Sequence, residues 1–285
     1  MSRQFFLGTL VMLLVFSCTD SQERTDLTEE GVFTKGIEGP ATDSEGNIYA
    51  VNYSKEGTIG RVTTDGKSSL FISLPGKSIG NGIRFANDSI MYVADYTNHN
   101  ILEINIKTKD IQVYAHQATA NQPNDIAISP EGILYASDPD WKEGTGNVWK
   151  ITKENGFELL EANMGTTNGI EVSPDGKKLY VNESVQRKVW VYDRMPSGNL
   201  KNKKEFYSFE DYGLDGMRCD PLGNLYICRY DKGTVAVLSP QGQLIKEYVL
   251  KGKKPTNITF SNDYKECFIT MADRGCIEKV LNTLL

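Results

Sequence analysis

The chain has little histidine, no sustained helical pattern, no long apolar run and no surplus of positive charge, and each shortage closes off a class of function. Only two histidines occur, His99 and His116. Neither sits in a recognisable motif, which leaves a Ser-His-Asp device or a histidine-rich zinc site without its usual base or ligands. The one extended apolar stretch, residues 5–16, is shorter than the roughly 20 residues a helix needs to cross a bilayer. Lys and Arg number 31 against 37 Asp and Glu, for a net charge of −6. Nucleic-acid partners require clustered positive charge, and the two basic runs, at 201–204 and 251–254, read as solvated loops.

What is present instead is a repeat. QPNDIAISP (122–130) and TTNGIEVSP (166–174) share an Asn, an alternating apolar run and a Ser-Pro turn, and LDGMRCDP (214–221) repeats the pattern with Asp in place of Asn. Extending the register gives a column of Glu38, Asn81, Asn124, Asn168, Asp215 and Thr256, at spacings of 43, 43, 44, 47 and 41 residues. A second column follows in phase: Tyr49, Tyr92, Tyr135, Tyr180, Tyr226 and Phe268, each flanked by alternating apolar and polar residues. That alternation is the mark of a half-buried strand, and the Gly, Asp, Asn and Pro between the columns suit tight hairpins.

Each repeat holds four strand-like segments; in the third they are 125–129, 133–137, 146–152 and 156–161. Four short strands every 40–45 residues define a propeller blade. The expected fold is therefore an all-β, six-bladed β-propeller over residues 30–285, with four antiparallel strands per blade. The last repeat has room for only three strands, about 257–261, 266–270 and 276–281. The segment EEGVFTK (29–35) is expected to supply the fourth and tie the chain ends together, since a bare edge would template aggregation.

Residues 1–17, with Arg3 ahead of a short apolar core, read as a secretory signal. The ending Val15-Phe16-Ser17-Cys18 resembles a bacterial lipoprotein cleavage box, which would make Cys18 a lipidated first residue and 18–29 a polar tether. An ordinary signal cleaved nearby is the alternative. Either way the mature protein is expected outside the cytoplasm, in a bacterial periplasm or at the cell surface, touching membrane only through that anchor, as a monomer. Cys219, Cys228, Cys267 and Cys276 read as buried, unpaired thiols.

In a propeller the innermost strand of each blade lines the central channel, so the first column converges at one mouth of the ring. Glu38 and Asp215 bring two carboxylates into a narrow space beside the carboxamides of Asn81, Asn124 and Asn168. Two such charges need a proton or a cation between them. Carboxylate and amide oxygens are the ligands Ca²⁺ takes, with Mg²⁺ and Mn²⁺ next, and Zn²⁺ last because it prefers His or Cys. Thr256 reads as a turn cap, and Asn81 as either a cap or a substrate contact.

IEGP (37–40), PND (123–125), TNGI (167–170) with SPDGKKLYV (173–181), and LDGM (214–217) together resemble the senescence-marker-protein, gluconolactonase and luciferin-regenerating-enzyme family, over nearly all of residues 30–280. The family is similar in fold and central calcium to diisopropyl-fluorophosphatase and the paraoxonases. The resemblance implies a divalent-metal-dependent hydrolase of lactones. It matches Glu38, Asn168 and Asp215 to metal ligands, Asp215 also to the general base, and Asn124 to a polar residue beside the metal. Sugar-lactone members carry an Arg just before the third-blade Asn, where this chain has Asn121-Gln122-Pro123. Asn81, Asn124, Trp141 and Arg229 are the expected substrate contacts, in a partly apolar pocket with one or two cations. The alternative reading is a binding propeller that keeps a calcium and catalyses nothing.

Overall fold

The computed structural model describes residues 24–285. The expected signal, Cys18 and the first part of the expected tether lie outside the described residues. Among those described there are 24 strands and no helix. The strands form six four-stranded antiparallel sheets in chain order. Blade 1 spans 41–73, blade 2 80–116, blade 3 126–164, blade 4 167–208 and blade 5 213–249, while blade 6 joins 255–281 to an N-terminal strand. The inner strands contact their neighbours in a closed cycle, blade 6 meeting blade 1.

The packing explains why the aromatic column recurs. Six buried apolar clusters fill the six seams between adjacent blades. Tyr49 lies edge-on to Phe71 of its own blade and to Phe85 of blade 2, and Tyr226 meets Phe260 of blade 6 in the same way. Tyr135 donates its hydroxyl hydrogen to the carbonyl of Gly198 at 2.8 Å, crossing from blade 3 to blade 4. Tyr135 and Tyr226 thus both fill a seam and give the polar tip a partner, Tyr226 donating to Asn282 Oδ1 at 2.9 Å. All four described cysteines are buried and unpaired, as the sequence suggested.

Ring closure differs from expectation in detail. An N-terminal strand does complete blade 6, but it is Arg24–Asp26, inside the stretch read as tether, paired with 278–280. Residues 29–35 form no strand beyond a single bridge between Phe33 and Tyr53. Gly31, at φ 74°, turns the chain off the blade 6 edge and carries it to blade 1. Arg274 fastens the junction, pairing with Asp26 at 2.7 Å, Glu30 at 2.6 Å and Glu278 at 2.6 Å.

Candidate metal centre

The first-column residues reach the channel because the inner strands are irregular where they sit. Pairing with the second strand slips between Gly80 and Ile83 in blade 2 and between Thr167 and Ile170 in blade 4. It slips again between Leu214 and Met217 in blade 5 and between Pro255 and Ile258 in blade 6. Such a bulge sets extra residues against the partner strand and re-aims their side chains. In blade 3 the equivalent pair, Asn124 and Asp125, precedes the strand. The Asn124 N–H donates to the Ser137 carbonyl at 2.8 Å, and the Ser137 N–H donates to the Asp125 carbonyl at 3.0 Å.

Glu38 and Asp215 face each other closely enough that the charge of Glu38 raises the Asp215 carboxyl, and Asn168 lies against that carboxyl. The Gly39 N–H donates to Glu38 Oε2 at 2.7 Å, and Asn182 Nδ2 donates to the Asp215 carbonyl at 2.6 Å. Burial pushes both carboxyls up, reinforced at Asp215 by the charge of Glu38 and at Glu38 by the charge of Asp125. Around them the Oδ1 atoms of Asn81, Asn124 and Asn168 are buried and accept no hydrogen bond. Leaving one buried acceptor unsatisfied costs about 1–3 kcal/mol, and natural proteins seldom tolerate a cluster of them.

Beneath this layer lie Asp125, which the sequence marks as a residue to orient a ligand carboxamide or a water, and Asn257, which the sequence reading missed. The Asn257 carboxamide lies against both Glu38 and Asp125 and lowers both carboxyls against the larger upward push of burial, while its Oδ1 accepts the Ile258 N–H at 2.9 Å. Asp125 Oδ1 accepts from Arg84 Nη1 at 3.2 Å, and its second oxygen has no hydrogen-bond partner. Glycine makes the room: a Cβ on Gly216 would collide with the Asn257 carboxamide, and one on Gly82 would lie 2.6 Å from Asp125 Oδ1. The signal was available one position after the first column. That column reads Gly39, Gly82, Asp125, Gly169, Gly216, Asn257, two polar side chains among four glycines. Deeper still, Glu171 pairs with Arg84 at 3.2 Å and Arg218 at 3.7 Å, and burial lifts its carboxyl to about 8.

The residues fit a divalent cation. Among the described residues no three His, Cys, Asp or Glu side chains are grouped to hold a metal by themselves. What the site offers is two carboxylates with three unsatisfied carboxamide oxygens, a donor set for a hard ion. Glu38, Asn168, Asp215 and Asn124 are the residues that could hold it, with Asn81 alongside.

Beside this cluster opens a cavity of about 510 Å³ over blades 1 to 3, lined by Glu38, Asn81 and Asn124, with Glu56, Tyr96 and Trp141 on its walls. Asn81, Asn124 and Trp141 are thus brought together as expected. Arg229 is not: it is buried, pairs with Asp211 at 2.7 Å and Glu247 at 3.8 Å, and lies over the Phe209 ring at 3.8 Å. A guanidinium so buried and paired helps hold blade 5 together out of a substrate's reach, and among the described residues no Lys or Arg lines the cavity. Thr256 is a structural cap, donating to the Ile37 carbonyl at 2.9 Å.

The SMP-30/Gluconolactonase/LRE-like region, as a family model, matches residues 38–273. A gluconolactonase of Zymomonas mobilis is 27% identical over 243 residues, covering 73% of this chain and 68% of that protein. The diisopropyl-fluorophosphatase of Loligo vulgaris is 26% identical over 296 residues, covering 88% and 92%. Among solved structures, a calcium-binding regucalcin from Agrobacterium tumefaciens superposes with a TM-score of 0.78 at 20% identity, covering 90% of this chain and 92% of that one. At that identity the likeness speaks to the fold alone.

Proposed function

The chain belongs to the SMP-30/gluconolactonase/LRE-like family, and from that premise we propose that it is a divalent-cation-dependent hydrolase of lactones, with Ca²⁺ the ion its donors suit best. The observation that carries the reading is the set of three buried carboxamide oxygens without donors, gathered round two facing carboxylates. Relatives named gluconolactonase and pentonolactonase support the substrate class. When bound, the cation supplies Lewis acidity that polarises a ring carbonyl and stabilises developing negative charge.

The chain's own residues do the rest. Asp215 is fixed from behind by Asn182 and can take the proton of an attacking water. Glu38 is held in place by the Gly39 N–H and the Asn257 amide. Asn81 and Asn124 sit where the cavity meets the cluster and orient the substrate, while Tyr96 and Trp141 wall it in. We also propose, from the sequence of the leader, that the protein works outside the cytoplasm, anchored at Cys18.

The test is turnover of a lactone panel with and without chelator. Hydrolysis that disappears with the metal, returns on adding Ca²⁺ and is lost in Asp215→Asn supports the enzyme. Tight calcium binding without turnover of any lactone or phosphoester sinks it in favour of a binding propeller.

A further inference from the structure

The cavity beside the metal centre has an unbalanced charge. Its lining includes two carboxylates, Glu38 and Glu56, and no Lys, Arg or His. Glu38 belongs to the metal cluster, but Glu56 does not. It lies on the loop between the second and third strands of blade 1, at the rim of the same mouth. Thr34 donates its hydroxyl hydrogen to Glu56 Oε1 at 2.9 Å, and a Cβ on Gly36 would lie 3.0 Å from that oxygen, so the carboxylate is seated against backbone. Two buried guanidinium groups of the ring are committed elsewhere: Arg229 to Asp211 and Glu247, and Arg84 to Asp125 and Glu171.

Resting on the lactonase reading, we infer that Glu56 is a charge filter for the substrate: the cavity admits lactones whose substituents are hydroxyls or an ammonium group and rejects those bearing phosphate or carboxylate. Glu56 accepts hydrogen bonds from the former and repels the latter. An ammonium group gains further from the rings of Tyr96 and of Trp141, which is 47% exposed and lines the cavity. The charge of Glu56 also reaches Tyr96, whose hydroxyl is pushed up first by burial and then by that carboxylate. Two like charges ~8 Å apart repel enough to weaken binding by roughly two- to thirtyfold, between the limits of bulk water and protein surface. The effect should fade with salt, as exposed charges are screened.

The experiment compares kcat/KM of the metal-loaded protein for glucono-δ-lactone, its 2-amino-2-deoxy analogue and 6-phosphogluconolactone, at low and high salt. It uses the wild type, Glu56→Gln, and Glu154→Gln on the opposite face of the ring as a control. The wild type is expected to disfavour the phosphorylated lactone by at least about twofold relative to the neutral one at low salt, and to favour the amine. In Glu56→Gln both ratios should move toward one, and salt should do the same to the wild type; Glu154→Gln should leave them alone. Ratios unchanged in Glu56→Gln while all three lactones weaken together would mean a structural role and overturn the inference, leaving the lactonase reading intact. A wild type that prefers the phosphorylated lactone overturns it as well. If none of the three is hydrolysed, the lactonase reading fails and takes the filter with it.

Discussion

Replacing Asp215 with Asn should stabilise the protein when metal is withheld and destabilise it, by comparison, when metal is present. In the metal-free protein the Asp215 carboxyl is raised well above its ordinary value of 3.8, first by burial and then by the charge of Glu38. The native state therefore holds a proton that the unfolded chain has already released. Stability must fall as pH rises through that interval, by about 1.4 kcal/mol per pH unit for each proton held. The carboxamide introduced by Asp215→Asn does not titrate, so this part of the pH dependence disappears. Denaturant unfolding in chelator should show Asp215→Asn gaining on the wild type as pH rises. Calcium at a hundred times its dissociation constant should then return about 2.7 kcal/mol to the wild type and little to the variant. If Asp215→Asn is instead less stable than the wild type in chelator by a margin that does not change with pH, the carboxylate is a structural bond and not one side of an ion site.

Gly216→Ala should push Asn257 off the floor of the site, since the new Cβ would collide with the Asn257 carboxamide; calcium affinity measured by calorimetry should fall at least about tenfold, within the range known for outer-shell changes. Arg84→Met leaves Asp125 and Glu171 without their nearest cation and should cost roughly 3–5 kcal/mol at a pH above about 8, where the Glu171 carboxyl is ionised. That cost should shrink as acid protonates the two carboxyls, which denaturant unfolding at two pH values would reveal. Cys18→Ser should abolish incorporation of labelled palmitate and release the protein from the membrane fraction; continued labelling would remove the anchor proposal.

The blades were legible because their information is local. The third blade, read as 125–129, 133–137, 146–152 and 156–161, folds as Ile126–Ile128, Leu134–Asp140, Thr145–Thr152 and Gly156–Met164. Period-two alternation and hairpin residues are sufficient for that. The closing strand was misplaced because a three-residue edge strand carries almost no pattern. Arg24–Asp26 alternates nothing apolar, and what holds it is Arg274 and Lys251, which lie 248 and 225 residues from Asp26 in the chain. Arg229 was misread for a related reason. Its position at the end of a second strand was visible, but the acidic partners that engage it, Asp211 and Glu247, come from neighbouring segments whose side-chain directions the sequence does not give.

The metal centre was half legible, and the bulges explain which half. Strict alternation sends the residue after each column position away from the channel, which makes Asn257 look peripheral. The slipped pairing in the inner strands breaks alternation at that point, so consecutive residues both face the axis and a second polar layer lies under the first. With that layer included, the channel contains four carboxylates, Glu38, Asp125, Glu171 and Asp215, against two guanidinium groups, Arg84 and Arg218. Two negative charges are left over in a buried space, and every one of the four carboxyls is correspondingly raised. Protons on Glu38 and Glu171, whose carboxyls are lifted to about 7 and about 8, can relieve that excess only by discharging the carboxylates, whereas one divalent cation would balance it with all four ionised. Charge thus argues independently for the ion that the unsatisfied carboxamide oxygens call for, and for a doubly charged ion over a singly charged one.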